Sequence, residues 1–258
     1  MTSRAEEMFF EVFEQLPRQG PGSLACTGLA LAMCRDLPAS PRVLDLGCGA
    51  GAQTLHLASL THGPILAIDR HPPLIDRLRE QLERQGLSGR VEARVGDMLA
   101  LELPPASFDL VWSEGALYNL GLEIALPICA GLLRPGGHLA FTDAVWRTAD
   151  PPLDVREAFA DYPTMRRVED VGALLERTGW SLLGHFDLPD EAWWDEFYGP
   201  MERRIDALRV RHADDPEALA ALDDLAAEPQ MHRRSGHHYG YTFFISRLGG
   251  DPFPAPAG

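Results

Sequence analysis

Apolar residues in this 258-residue chain change spacing repeatedly, from every third or fourth position to short unbroken runs and back. Met8, Phe9, Val12, Phe13 and Leu16 recur at helical spacing and predict an amphipathic first helix. Residues 17–22, with two prolines and two glycines, break it, and Ser23 is placed to cap a second, alanine-rich helix reaching about residue 37. Val43, Leu44 and Leu46 then form a short run expected of a buried strand. Gly47, Gly49 and Gly51 follow, and helical spacing resumes with Leu55 and Ala58. Further apolar runs at 64–69, 91–95, 108–112 and 138–142 alternate with helical patterns. One of these places Leu74, Ile75, Leu78 and Leu82 on a single face and stops at Gly86; others cover 124–133 and 168–178. Strands over 180–186 and 239–247 complete the series.

Such alternation predicts an α/β protein with a mostly parallel sheet covered by helices on both faces. Two segments stand outside it. Residues 1–38 read as N-terminal helices covering a cleft, with simple packing as the plainer alternative. Residues 189–236, between the last two strands, read as a helical insert in which Trp193, Phe197 and Met201 share a face. The tail, 249–258, is Gly, Pro and Ala with one Asp and one Phe, and is expected to be disordered.

The composition is that of an ordinary soluble domain, 45% hydrophobic and 24% charged, but its net charge is -15. That balance argues against a nucleic-acid face, since phosphate binding relies on Lys and Arg, and against an anionic membrane surface. No apolar run approaches the roughly 20 residues needed to span a bilayer. The start of the chain alternates acids with Phe and Met, unlike a signal peptide. Cys26, Cys34, Cys48 and Cys129 form no C-x-x-C pair, so reduced thiols and a cytoplasmic protein are expected.

Candidate chemistry gathers where the strands end. Glycines at 47, 49 and 51 permit a sharp turn and close ligand approach. Asp45 stands just ahead of it, ready to accept hydrogen bonds from a cationic or N–H-bearing ligand. Gly47, Gly49 and Ala52 also satisfy the dinucleotide pattern G-x-G-x-x-A. Asp69 lies 20 positions beyond Gly49, where an acid that accepts from both ribose hydroxyls belongs. Asp97 is placed to accept from an adenine amine while Met98 packs on the ring. Ser113 and Glu114 close the fourth strand.

The ordered set D-L-G-C-G-A-G, Asp69, G-D-M, F-D-L-V-W-S-E-G and L-L-R-P-G-G resembles the class I S-adenosylmethionine-dependent methyltransferases, over about 39–247. P-R-Q-G-P-G-S at 17–23, W-S-E-G-A-L-Y-N-L-G at 112–121 and Y-G-Y-T-F-F-I at 239–245 are similar to stretches of a narrower group. Those are small bacterial methyltransferases of the ubiquinone/menaquinone-biosynthesis-like type, which open with R-R-Q rather than P-R-Q. The resemblance implies a Rossmann-like, seven-stranded sheet whose last strand enters antiparallel between the fifth and sixth. It also implies S-adenosyl-L-methionine as cofactor and methyl transfer to a small-molecule acceptor. A non-catalytic sensor of the same cofactor is the alternative. Arg18 is a candidate for the methionyl carboxylate by a bidentate pair. Glu114 is the candidate general base, with a structural role for its carboxylate as the rival, and Tyr118 with Asn119 the candidates for orienting the acceptor. Trp146, Trp193, Trp194 and Tyr198 are candidates for an aromatic wall, with packing as the plainer role. His232, His237 and His238 share no spacing with an acid or cysteine, so no metal is expected. Neither the acceptor nor the oligomeric state follows from these motifs.

Overall fold

The computed structural model describes residues 3–249. The expected tail therefore lies almost wholly outside the described residues; Gly249 itself donates its backbone N–H to Gly179 O at 3.0 Å.

Eight strands build one sheet: β1 (Val43–Leu46), β2 (Ile65–Asp69), β3 (Val91–Val95), β4 (Phe108–Glu114), β5 (Leu133–Trp146), β6 (Arg166–Arg167), β7 (Trp180–Asp187) and β8 (Tyr239–Leu248). Their order is β3-β2-β1-β4-β5-β8-β7, with β6 beside the far end of β5. β8 pairs antiparallel with both β5 and β7, in the place expected for the last strand. Two details depart from the expectation. The fifth strand begins at Leu133, directly after the preceding helix, and the two-residue β6 had no apolar run to announce it.

Alternation along the strands assigns the two faces. Leu44, Leu46 and Val111 join the core beneath α5 (Leu122–Leu132) and α7 (Val168–Arg177). Val43, Leu110 and Trp112 point the other way, toward α2 (Leu24–Met33), α3 (Ala52–Leu60) and α4 (Pro72–Arg84). Burial of these aliphatic side chains, each worth about 1.5–3 kcal/mol, holds the helices to the sheet.

A third core is separate from both. It joins Met8, Val12 and Leu16 of α1 (Arg4–Phe13) and the turn after it to the insert. The insert comprises α8 (Glu191–Trp193), a π-helical turn Trp194–Tyr198, α9 (Gly199–Arg211) and α10 (Pro216–Ser235). Val155 of α6 (Leu153–Ala158) and Tyr239 of β8 complete it. α10 runs on past Pro229 and takes in His232. Among the described residues no helix is long and apolar enough to cross a membrane.

Candidate active site

Between the carboxyl ends of the parallel strands and this cap lies a cleft of about 1160 Å³. Sites for small ligands commonly occupy about 300–1,000 Å³, so the space suits two ligands side by side. In open α/β sheets this edge is where ligands bind.

One half is built by β1, β2 and β3. Gly47, Gly49 and Gly51 all have positive φ, 71°, 54° and 87°. A Cβ on Gly47 would lie 2.2 Å from Ala116 Cβ, and one on Gly49 would lie 2.6 Å from Gln19 Oε1. Both glycines line the cleft. Asp69 does so too; its Oδ2 accepts from Gly49 N at 2.9 Å and its Oδ1 from His71 N at 2.9 Å. The acid thus orders the glycine turn and keeps lone pairs for a ligand. Asp97 accepts from Leu99 N at 2.9 Å, beginning the short helical turn that carries Met98 into the wall.

Three of the expected cofactor residues face elsewhere. Asp45 is fully buried beneath the turn, accepting from Thr54 Oγ1 at 2.6 Å and Gln53 Nε2 at 3.4 Å, and does not line the cleft. Burial raises its carboxyl to about 7, against the pull of the Thr54 hydrogen bond. Ser113 is also fully buried and donates to Leu46 O at 2.8 Å, clamping β4 to β1. Gly51 serves packing: a Cβ there would lie 2.2 Å from Leu78 Cδ1 of α4. Asp45 and Ser113 are taken up by protein partners, and Gly51 begins α3 behind the turn.

Arg18 and Glu114, 96 positions apart, meet as a buried ion pair. Arg18 Nη2 lies 2.5 Å from Glu114 Oε2, with both side chains at most 3% exposed. Trp112 Nε1, at 2.9 Å, and Thr27 Oγ1, at 3.3 Å, both donate to Glu114 Oε1. Arg18 Nε donates to Gly20 O, while its Nη1 is buried with no hydrogen-bond partner. Glu114 is a candidate base from its position after the fourth strand, yet three donors already engage it: the guanidinium, an indole and a hydroxyl. Thr27 and Gly22 escape sequence reasoning because nothing local marks them as partners of residue 114, whereas Trp112 stands in the same motif as Glu114. Gln19 seats the same loop on the glycine turn, accepting from Ala50 N at 2.8 Å.

The other half is aromatic. Tyr118, Tyr162, Trp193, Tyr198, Tyr239 and Tyr241 line it. Trp194 instead lies under Arg233, its ring centroid 4.2 Å from the guanidinium carbon, and neither Trp194 nor Trp146 lines the cleft. Asn119 donates to Ala116 O at 2.9 Å, bracing its own turn. Tyr162 donates to Asp143 Oδ2 at 2.8 Å, while Asp143 Oδ1 has no partner. Burial pushes the Asp143 carboxyl up to about 7. α1 contributes Phe9, Phe10 and Phe13 to the wall, whereas α2 packs against α3 and β8.

Residues 43–137 match the family described as Methyltransferase domain. The chain is 30% identical over 162 residues to the methyltransferase GfsG of Streptomyces halstedii, covering 60% of this chain and 58% of that protein. It is 32% identical over 165 residues to the ribosomal protein L11 methyltransferase of Bordetella parapertussis, 64% of this chain and 48% of that one. The chain thus spans about half the length of these relatives. Its fold is similar to that of an S-adenosylmethionine-dependent methyltransferase from Thiobacillus denitrificans, solved with S-adenosyl-L-homocysteine. The TM-score is 0.81 at 20% identity, over 93% of this chain and 98% of that one. Residues 43–137 thus match a methyltransferase domain, and the chain shares its fold with a solved S-adenosylmethionine-dependent methyltransferase.

Proposed function

We propose that the protein transfers a methyl group from S-adenosyl-L-methionine to a small-molecule acceptor and releases S-adenosylhomocysteine. The observation that carries this reading is convergence at one edge. The glycine turn, Asp69 and the Asp97–Met98 pair end three adjacent parallel strands, and a separately cored cap encloses the space beside them.

The residues fit this cofactor. Asp69 receives the ribose hydroxyls, and Asp97 and Met98 hold the adenine. The glycine turn passes its backbone close to the bound molecule. Arg18 Nη1, a buried donor with no partner in the protein, faces the need of the methionyl carboxylate. Glu114 keeps the Arg18 guanidinium in place, a positioning role in preference to that of a base. When bound, the cofactor supplies an activated methyl group on sulfur. What this chain adds is alignment: holding two reactants in line contributes on the order of 7–11 kcal/mol to lowering a barrier. Tyr118 and the aromatic wall orient the acceptor and exclude water.

Titration with S-adenosylhomocysteine in a calorimeter is the first test, and binding is expected. Incubation with methyl-labelled S-adenosylmethionine and a bacterial metabolite extract is the second, with label expected in a small molecule. Binding without any transfer of label would instead make the protein a sensor of the cofactor. Absence of binding would overturn the reading altogether.

A further inference from the structure

We infer that the aromatic half of the cleft takes a basic, amine-bearing acceptor with an apolar or aromatic body, its ammonium held by Glu228 among tyrosines. This rests on the methyltransferase reading above and adds the chemical class of the acceptor.

Glu228 projects from α10 into the cleft. Its Oε1 accepts from Tyr198 Oη at 2.8 Å, and among the described residues it makes no ion pair. The residue is exposed on the cleft side of α10, and the neighbouring protein raises its carboxyl above the usual range by desolvation. Tyr118, Tyr198, Tyr239 and Tyr241 surround it. Burial raises all four phenols, and the charge of Glu228 raises each of them further. A carboxylate facing into a cleft walled by aromatic rings is best answered by a positive charge. The protein's own partner is one neutral hydroxyl, so a cationic ligand is the natural complement.

Three further features point the same way. Asp224 lies one helical turn before Glu228 on α10 and also lines the cleft, and like charges four residues apart destabilise a helix unless a cation lies near both. Asp154 and Asp161 line the same half from α6 and the turn after it, while the insert contributes one lining cation, Arg234. Finally, the π-faces of the tyrosines and of Trp193 attract ammonium groups, most strongly where water is excluded. Anionic acceptors meet the opposite field, and neutral ones leave Glu228 unanswered.

The test uses the full chain saturated with S-adenosylhomocysteine at physiological salt. The probes are benzylamine, phenethylamine and tryptamine, each beside its alcohol (benzyl alcohol, 2-phenylethanol and tryptophol), with phenylacetate as the anion. Titration of S-adenosylhomocysteine alone comes first, and its failure to bind counts against the methyltransferase reading rather than this one. With the cofactor product bound, at least one amine should bind about tenfold or more tightly than its alcohol, as for a charge-assisted hydrogen bond. Glu228→Gln should erase that preference and Glu228→Asp should restore part of it. If no amine outcompetes its alcohol in the wild type, whether both bind equally or neither binds, the proposal is overturned. Tighter binding of phenylacetate, or an unchanged preference in Glu228→Gln, overturns it as well.

Discussion

Gly22 matters for the room it leaves. A Cβ there would lie 2.2 Å from Arg18 Nη2 and 2.7 Å from Glu114 Oε2, inside the buried pair. Gly22→Ala should therefore push the guanidinium aside and weaken S-adenosylhomocysteine binding without touching the adenosine site. Glu114→Gln should do more. Removing one partner of a buried ion pair typically costs about 3–5 kcal/mol, because the other charge is left uncompensated. A lower melting temperature together with weaker product binding is the expected result. Slower turnover with unchanged product affinity would return Glu114 to the role of general base. Asp69→Ala acts at the other end of the cofactor. Hydrogen bonds to a charged group are worth roughly 1.5–3 kcal/mol, so affinity should fall about ten- to a hundredfold by calorimetry. Equal affinities in wild type and variant would remove Asp69 from the ribose site.

At the scale of elements, α1 and the insert share one core, although they lie toward opposite ends of the chain. Leu222 of α10 is fully buried within it, beside the side chains of α1 and α9. A segment that owns its own core opens as a unit. Leu222→Asp places an unpaired charge there, at a cost of several kcal/mol. Amide hydrogen exchange should then show α1, α9 and α10 losing protection together while β1 and β4 keep theirs. Loss confined to α10 would mean that the cap is a set of independent pieces. For the same reason, replacing 189–236 by a linker would strand the apolar face of α1, so the cap is better loosened than deleted.

For the whole molecule, two buried carboxyls set a pH dependence. Asp45 and Asp143 rise to about 7 from an ordinary 3.8, burial being the main cause in each. Between those values the folded protein holds protons that the unfolded chain has released. Stability from these groups is therefore full below about pH 4 and falls as pH rises toward 7. His56, His138 and His232 are pushed down by burial and tilt the balance the other way. The carboxyl contribution is thus read as a difference between proteins. Relative to wild type, Asp45→Asn should gain stability by up to about 1.4 kcal/mol per pH unit across this window. Denaturant melts at pH 5, 6 and 7 measure it, and a constant difference would show that Asp45 titrates in the fold as it does in the unfolded chain.

The order of elements, the glycine turn and the acids at the strand ends were legible from residue order because they are local. A period of two or of 3.6, a cap or a positive-φ glycine is decided within a few residues. Hence the alternating sheet, and Asp69, Asp97 and Met98 beside the cleft, followed from reading along the chain, while the place of β8 was implied by the family resemblance. Which polar residue at a strand end faces ligand and which faces core was not local. Ser113 and Glu114 are neighbours, yet the pleat sends one to clamp Leu46 and the other to meet Arg18. Asp45 turned inward because Thr54 and Gln53 of α3 close over it. Glu228 carries no motif at all. It became a candidate when packing of α10 against α1 and α9 brought it among tyrosines from β8, the loop after β4 and the insert. Burial and charge complementarity belong to surfaces that meet only in three dimensions, and only the tertiary structure decides them.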